Sequence, residues 1–337
     1  MWEEGDDLEE ELQAFIHLML MRKASDAHFF IREGVFHFQL RCLGKMEHQD
    51  DGLFDGRLFH YLKYIAHLDL GDFAKPQSGN FYRKFHGKTL QFRFSLLCTN
   101  EMQTGVLRLL DHSQFEQIED ICTDKNQQQI LHSLCQGRQG LALFSGPTGS
   151  GKTTTLHVLL KEAAHRYHRQ VISLEDPIEI YDEHYLQLQV NEKSGFTYEV
   201  GIEQLLRHDP DIIMIGEIRN EKTAQMAVRA ALSGHSVFST VHAKSCMEVF
   251  DRLQELGVDR QQLHAILTFV GTQRLIRQKQ KMKRECIYEI LYGEELERYC
   301  VTNTLNKEHQ TMEDLLKKAY DEGTITKETY EFEHTAR

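Results

Sequence analysis

The segment LFSGPTGSGKTTTLHVLL, residues 143–160, has glycines spaced for contact with a phosphate. Gly146, Gly151, Lys152 and Thr153 satisfy the pattern G-x-x-x-x-G-K-S/T without a mismatch. Glycines let the backbone wrap a phosphate and aim successive N–H groups at it, and the following helix adds its positive N-terminal end. The pattern predicts a nucleotide site in which Lys152 contacts the β- and γ-phosphates of ATP and the Thr153 hydroxyl ligates Mg²⁺.

The expected contacts to ATP extend over the loop and the first helical turn. An apolar strand pattern precedes the loop and a helical pattern follows it, which is the context that the motif requires. Loops of this kind also serve kinases, GTPases and switches, so the motif alone does not establish hydrolysis. The residues predicted to bind ATP are Gly146, Pro147, Thr148, Gly149, Ser150, Gly151, Lys152, Thr153 and Thr154.

Three further segments end in side chains that could act on a triphosphate. Glu175 follows the strand pattern QVISL, where a carboxylate can orient or deprotonate an attacking water. Glu217 follows DIIMI and could hold Mg²⁺ through water, while Gly216 occupies the place that many P-loop enzymes give to Asp. His242 ends SVFSTVH and could donate a hydrogen bond to a γ-phosphate. Acids after strands and surface histidines are also common, so these assignments depend on the phosphate loop.

The pattern of strands and helices divides the chain into two domains. From residue 118 onward, apolar strand patterns alternate with helical patterns, which is typical of βαβ units and a parallel sheet. The part before it mixes short alternating segments with helix-like pieces and predicts a smaller α+β domain. The predicted organisation is an α/β protein with an N-terminal domain over 1–111, a linker over 112–117 and an ATPase domain over 118–337 with a helical C-terminal end.

Composition narrows the classes of function. With 39 Lys and Arg against 51 Asp and Glu, the net charge of −12 disfavours non-specific nucleic-acid binding. The seven Cys are isolated and include no C-x-x-C, which predicts neither a disulfide framework nor a zinc knuckle. The N-terminus is acidic where a signal peptide would be basic, and no run of apolar residues is long enough to cross a bilayer. We therefore expect a folded cytoplasmic protein.

Four segments together resemble the boxes of the secretion (traffic) ATPases, which drive type II secretion, type IV pili and competence pseudopili. GPTGSGKTTT is similar to the Walker A box, LEDPIEI to the Asp box, RHDPDIIMIGEIRN to the Walker B box and STVHAKS to the His box. KASDAHFFIREG, LRCLG and LQFRFSLLCTNEMQTGVLRLLD resemble family segments of the first domain, and RLIRQ…CIYEIL those near the end. The resemblance covers nearly the whole chain.

The resemblance implies a PAS-like N-terminal domain joined to a RecA-like ATPase domain in a homo-hexamer, with ATP at the junction between domains and subunits. It implies that Glu175 acts on the attacking water, that Glu217 is the Walker B acid and that His242 lies near the γ-phosphate. Arg93 and Arg108 match arginines by which the N-terminal domain reaches the phosphates, although a surface salt bridge is their ordinary role. The implied partners are a polytopic membrane platform protein at the cytoplasmic face of the membrane and, indirectly, pilin-like subunits.

Departures from the family pattern favour one branch. RLIRQKQKMKRECIYEIL crosses directly the region where many relatives carry a four-cysteine zinc loop, so ATP and Mg²⁺ are expected without zinc. A retraction motif like A-I-R-N-L-I-R-E is not found. These features resemble the competence ATPases of Gram-positive bacteria, with pilus retraction or type II secretion as the alternative within the family. Asn220 stands where the family's G-E-I-R-D has Asp, which leaves the role of that acid in doubt.

Two other classes of function stay open. The basic run from Arg274 to Arg284 could track phosphates, as in a nucleic-acid translocase, or lie against anionic lipid headgroups, although such runs are more often solvated connectors. We expect no direct binding of nucleic acid. A third class is an ATP-binding scaffold without turnover, against which the unaltered Lys152, Glu175 and Glu217 argue.

Overall fold

The computed structural model of the 337-residue chain describes residues 3–32, 35–42, 45–49, 54–71, 75–98, 102–110, 117–277, 279 and 284–335. The chain divides into two compact units, Met1–His112 and Ser113–Arg337. The predicted linker over 112–117 lies outside the described residues except for its last position. Each unit is described by itself.

The N-terminal unit combines a six-stranded antiparallel sheet with two helices. Its strand order is β3-β2-β1-β6-β5-β4. Phenylalanines from α1, α2 and the sheet meet in its core, with Phe29 and Phe59 fully buried and their rings edge to face. In chain order the elements are α1 (Glu3–Met21), β1 (Ala24–Arg32), β2 (Val35–Cys42), β3 (Lys45–Gln49), α2 (Gly56–Ile65), β4 (Gln77–Phe85), β5 (Lys88–Cys98) and β6 (Met102–Leu110).

The C-terminal unit is built on a seven-stranded sheet in the order β13-β12-β7-β11-β10-β8-β9. Neighbouring strands are parallel except β12 and β13, which form an antiparallel pair at one edge. In chain order the elements are α3 (Ile118–Ile121), α4 (Lys125–Gln136), β7 (Gly140–Ser145), α5 (Lys152–Tyr167), β8 (Val171–Glu175), β9 (Leu186–Gln189), α6 (Tyr198–Leu205), β10 (Ile212–Ile215), α7 (Glu221–Leu232), β11 (Ser236–Val241), α8 (Cys246–Glu255), α9 (Arg260–Ile266), β12 (Leu267–Arg277), β13 (Arg284–Tyr292), α10 (Glu294–Thr302), α11 (Met312–Asp321) and α12 (Lys327–Thr335).

The four central strands β7, β11, β10 and β8 are buried at every residue. Successive side chains point to opposite faces, so Leu141 and Leu143 of β7 join one core while Ala142 and Phe144 join the other. Helices cover both faces of a parallel sheet, which explains why these strands are continuous apolar runs in the sequence. The parallel sheet expected from the alternating patterns is present.

The basic run begins within one strand and ends at the start of another, and its interpretation as a solvated connector stays a prediction. Its first residue, Arg274, lies within β12, and only 13% of its side chain is exposed. Arg284 begins β13, and most of the positions between the two strands lie outside the described residues. Separately, none of the helices in the described ranges combines the length and the apolar composition that crossing a membrane requires.

A buried carboxylate joins the C-terminal helices to the sheet. Glu289 of β13 is 1% exposed and accepts hydrogen bonds from the backbone N–H groups of Cys246 and Met312, the first residues of α8 and α11, at 3.3 and 3.0 Å. His309 lies between two carboxylates, with Nε2 3.5 Å from Glu289 and Nδ1 2.9 Å from Glu295. Burial lowers the pKa of His309, but the two carboxylates outweigh burial and raise it above its ordinary value.

We expect His309→Leu to lower the free energy of unfolding by on the order of 3 kcal/mol in mildly acidic solution, because the buried carboxylate of Glu289 and the partly buried one of Glu295 lose their cationic partner. A raised folded-state pKa stabilises the protein fully below the unfolded pKa, and the effect is lost as pH rises through the folded pKa. Denaturant titrations should therefore show the difference from wild type shrinking as pH rises above about 6.5, the ordinary pKa of histidine. The exposed His264→Leu is the control. A difference for His309→Leu that stays constant with pH would contradict the ion-pair role.

Candidate active site

The four sequence boxes lie at one edge of the seven-stranded sheet. They follow the carboxyl ends of β7, β11, β10 and β8, which are consecutive neighbours. The register aligns the last residue of β7 with that of β11, and the last residue of β10 with Leu174 near the end of β8. Gly146, His242, Glu217 and Glu175 therefore emerge along the same edge, where parallel α/β sheets bind ligands.

The phosphate loop between β7 and α5 requires glycine for two reasons. Gly146, Gly149 and Gly151 have φ values of 142°, 79° and 88°, which a side chain would strain. Gly146 also lies against β12, because a Cβ there would be 2.5 Å from the carbonyl oxygen of Gln273. The side chain of Gln273 in turn donates a 2.8 Å hydrogen bond to the carbonyl oxygen of Ser150. β12 thus supports both ends of the loop.

Lys152 begins α5, and its ammonium group lies over the start of the loop. Its Nζ donates hydrogen bonds to the carbonyl oxygens of Gly146 and Pro147 at 2.8 and 3.1 Å. Burial lowers the pKa of Lys152, while the charges of Glu217 and Glu179 raise it. The ammonium group is held by neutral carbonyls, so a triphosphate would compete for it with stronger, charge-assisted hydrogen bonds.

Glu175, the last residue of β8, is 6% exposed. Its Oε1 accepts hydrogen bonds from Ser173 Oγ at 2.6 Å and from Gln187 Nε2 at 3.1 Å. Burial raises the pKa of Glu175 above its ordinary value, although these two hydrogen bonds act in the opposite direction. A raised pKa makes a carboxylate a better proton acceptor, which suits a general base.

Glu217 lies two residues beyond β10, and 15% of its side chain is exposed. One carboxylate oxygen is 3.0 Å from His242 Nε2, and the other accepts a 2.6 Å hydrogen bond from Arg219 Nε. This hydrogen bond to Glu217 raises the pKa of the Arg219 guanidinium. The structure therefore brings the acid of the third box into contact with the histidine of the fourth.

Gly216 occupies the place that many P-loop enzymes give to Asp, and its surroundings are tight. A Cβ at Gly216 would lie 3.1 Å from Tyr198 Oη, 3.3 Å from the Leu174 carbonyl oxygen and 3.5 Å from Glu175 Cα. Burial, reinforced by the charges of Glu175 and Glu217 among others, raises the pKa of the Tyr198 hydroxyl. A larger residue at position 216 would therefore require Tyr198 to shift.

Asn220, the departure from the family's Asp, caps helix α7. Its side-chain oxygen accepts a 2.8 Å hydrogen bond from the backbone N–H of Thr223. Asn and Asp serve almost equally well as N-caps. A structural role therefore accounts for this position without a negative charge.

The two arginines of the N-terminal unit lie in one row across its sheet. Arg93 of β5 is directly opposite Arg108 of β6, and the row continues through Asp26 of β1 to Arg41 of β2. Arg108 Nε donates a 2.6 Å hydrogen bond to Asp26, and Arg41 Nε lies 3.8 Å from the same carboxylate. Arg93 donates to Asn80 at 3.3 Å. The salt bridge considered from the sequence exists for Arg108, and 60% of that side chain stays exposed.

Sequence reasoning missed several residues around these groups. Ser173 is two positions before Glu175 in the same strand, so the period of two could have placed both on one face. Gln187, Tyr198 and Arg41 carry no motif, and only the folded chain brings them to the predicted residues. The catalytic, ATP-binding and metal-binding roles assigned from the sequence stay predictions.

Comparison with known proteins places the chain in a family. The family described as "Type II/IV secretion system protein" matches residues 3–329, and the chain belongs to it. The chain is 33% identical to competence protein ComGA of Bacillus subtilis over 97% of this chain and 98% of that protein. It is 35% identical to type II secretion system protein E of Pectobacterium carotovorum over 79% of this chain and 54% of that protein. The resemblance to secretion ATPases, with competence proteins among the relatives, is confirmed.

A solved structure shows the same fold. The pilus retraction motor PilT with bound ADP superposes with a TM-score of 0.76 at 24% identity, covering 95% of this chain and 96% of that one. This chain therefore shares its mixed α/β fold with that motor. Among the described residues, no group of three or more His, Cys, Asp or Glu is arranged to hold a metal. The expected lack of zinc stays a prediction.

We expect Gly146→Ala to destabilise the protein without nucleotide by roughly 2 to 3 kcal/mol, since the new Cβ meets a backbone carbonyl and also strains φ. Gly149→Ala is the matched control, because φ is also positive there but nothing lies within 4 Å of the added Cβ. It should cost only the conformational strain, about 1 to 2 kcal/mol. Equal losses in denaturant titrations of the two variants would contradict the contact between the loop and β12.

Proposed function

We propose that this protein is an ATPase motor that uses ATP hydrolysis to assemble a competence pseudopilus for DNA uptake. The observation that supports it is the alignment of Lys152, Glu217 and Glu175 along one edge of the sheet, beside His242. The match to a competence protein over nearly the full length of both chains supports the biological setting. Pilus retraction and type II secretion are the alternative within the family.

The proposed chemistry assigns a separate role to each side chain. Lys152 and the backbone N–H groups of the loop bind the phosphates, while Glu175 takes a proton from the attacking water. The Thr153 hydroxyl and the Glu217 carboxylate are oxygen donors of the kind Mg²⁺ prefers, with Glu217 acting through water. When bound, Mg²⁺ supplies neutralisation of the phosphate charge. His242, held against Glu217, donates a hydrogen bond to the γ-phosphate.

The proposed assembly is a homo-hexamer at the cytoplasmic face of the membrane. Each subunit consists of a PAS-like domain over 1–111, a linker over 112–117 and a RecA-like domain over 118–337. Hydrolysis moves the two domains relative to each other, and a polytopic membrane platform protein passes this motion to pilin-like subunits. The family membership and the row of arginines in the N-terminal unit support this proposal.

We expect Lys152→Ala to lose ATP binding and Glu175→Gln to keep ATP binding while kcat falls by about 10² or more, because the variant retains shape but cannot accept a proton. Phosphate release and nucleotide titration measure the two effects. The control is Glu183→Gln, because Glu183 is an exposed acid in the segment between β8 and β9. This variant should behave as wild type. Undiminished turnover in Glu175→Gln would remove the general base from the proposal.

The Lys152→Ala change in the host tests the biological role. The strain should lose surface pseudopili and transformability, and a strain that keeps both would contradict the assembly role. ATPase activity stimulated by DNA and falling steeply with salt would instead favour a translocase. Absence of phosphate release even with the membrane partner would favour the scaffold.

The arginine role is tested separately. We expect Arg93→Ala and Arg108→Ala to lower kcat by about 10³ or more, the size of effect seen when a cation facing a transferring phosphoryl group is removed. Arg57→Ala is the control, since Arg57 is an exposed arginine of the same unit paired with Asp55. Melting temperatures identify any stability loss in Arg108→Ala, where Asp26 loses its 2.6 Å hydrogen bond and keeps Arg41 at 3.8 Å. Wild-type turnover of both variants as intact hexamers would leave these arginines with structural roles only.

A further inference from the structure

The amide of Gln187 holds the carboxylate of Glu175 from the neighbouring strand β9. Its Nε2 donates hydrogen bonds to Glu175 Oε1 at 3.1 Å and to the carbonyl oxygen of Ile180 at 2.8 Å. Its Oε1 accepts a 2.8 Å hydrogen bond from the backbone N–H of Asp182. Two acceptors face the nitrogen and one donor faces the oxygen, so only an amide in this one orientation satisfies all three partners.

The contacts to Glu175 select one of its two oxygens. Ser173 and Gln187 both donate to Oε1, and neither contacts Oε2. The terminal torsion of a glutamate side chain is soft, so the orientation of the carboxylate follows from its hydrogen-bond partners. Two donors hold Oε1 against Ser173 and Gln187, and the backbone N–H of Glu179 also lowers the pKa of this carboxylate.

The same amide connects Glu175 to the helix that begins at the phosphate loop. Gln187 binds the segment between β8 and β9 at Ile180 and Asp182. One carboxylate oxygen of Asp182 lies 3.4 Å from Nε2 of His157 on α5. Asp182 and His157 are both buried, so this contact is shielded from water. A displacement of α5 at the phosphate loop therefore reaches Glu175 through Asp182 and Gln187.

We propose that Gln187 is a positioning residue for Glu175. Its hydrogen bond to Oε1 orients the carboxylate so that Oε2 is the oxygen that takes the proton from water. This inference rests on the proposed ATPase function. Ser173 of β8 also donates a hydrogen bond to Oε1. Gln187 differs from it because its amide also binds the segment between β8 and β9, which contacts α5. The role is therefore distinct from simple packing of an edge strand.

The chain offers a matched control two residues further along the same strand. Gln189 is exposed, and its Oε1 is 3.5 Å from the backbone N–H of Ile178. It has the same side chain and the same strand environment, and its amide makes no hydrogen bond to the Glu175 carboxylate in the described structure. Substitution of Gln189 thus measures the effect of changing a β9 side chain while the hydrogen bond from Gln187 to Glu175 is kept.

The test compares Gln187→Met, Gln187→Glu and Gln189→Met, the first two being close in size to glutamine. Loss of a donor to the charged carboxylate raises the pKa of Glu175, and we expect a shift of about one unit in Gln187→Met. The acid limb of the kcat–pH profile should move upward by about the same amount, and kcat should fall about tenfold with the ATP dissociation constant within about twofold of wild type. Gln187→Glu should shift further in the same direction, because a second carboxylate faces the first. Gln189→Met should match wild type.

A second readout does not require turnover. The infrared carboxyl band of Glu175, isolated by subtracting the Glu175→Gln spectrum, gives its protonation midpoint directly. An upward shift of the Glu175 protonation midpoint in both Gln187 variants supports the positioning role. This holds even if Glu175→Gln keeps full activity, because that outcome would contradict only the proposed catalytic role of Glu175. A wild-type midpoint and wild-type pH profile in folded Gln187→Met and Gln187→Glu would overturn the positioning role. If melting shows that one variant does not fold, the other decides.

Discussion

The register of four parallel strands is the constraint on which the rest of the site depends. β7, β11, β10 and β8 are apolar on both faces, so side-chain polarity alone would not prevent one strand from slipping past the next. Buried hydroxyls near the strand ends supply the missing specificity. Ser145 bonds Thr272 of β12 at 2.6 Å, and Ser239 of β11 donates to the Ile215 carbonyl oxygen of β10 at 2.6 Å. A slip would leave these groups unpaired in the core, and each unpaired buried polar group costs about 1 to 3 kcal/mol.

With the edge aligned, the two carboxylates differ only through what surrounds them. Glu175 is buried against the neutral donors Ser173 and Gln187, whereas Glu217 is partly exposed between the guanidinium of Arg219 and the imidazole of His242. Burial among neutral groups favours a carboxylate that exchanges a proton. The two acids thus lie in different surroundings, in keeping with the separate roles proposed for them.

The sequence predicts the parts of this site that depend on short-range pattern. The phosphate loop, the buried strands and the acids that follow them are each contained in a few consecutive residues, and the topology of parallel sheets brings their ends together. The sequence does not predict contacts between segments that are distant along the chain. The crowding of Gly216 by Tyr198, the grip of Gln187 on Glu175 and the burial of Arg274 in β12 all depend on the packed chain. Arg274 shows this limit, since its place in β12 with little of its side chain exposed could not be read from a run of charged residues.

The N-terminal unit carries a row of charged side chains across its sheet. Like charges directly opposite each other on neighbouring strands destabilise a sheet, and Arg93 and Arg108 have this arrangement. Arg41 adds a third cation to the row, and Asp26 is the carboxylate at its centre. Burial raises the pKa of Asp26, but the hydrogen bonds from Arg108 and Ser25, together with the charge of Arg108, lower it below its ordinary value, so this carboxylate already has partners within its own unit. Local arrangements that cost stability are typically found where a ligand compensates for them. An anion bound along this row would lower its energy, and a triphosphate carries the charge and the bidentate oxygens that guanidinium groups bind best.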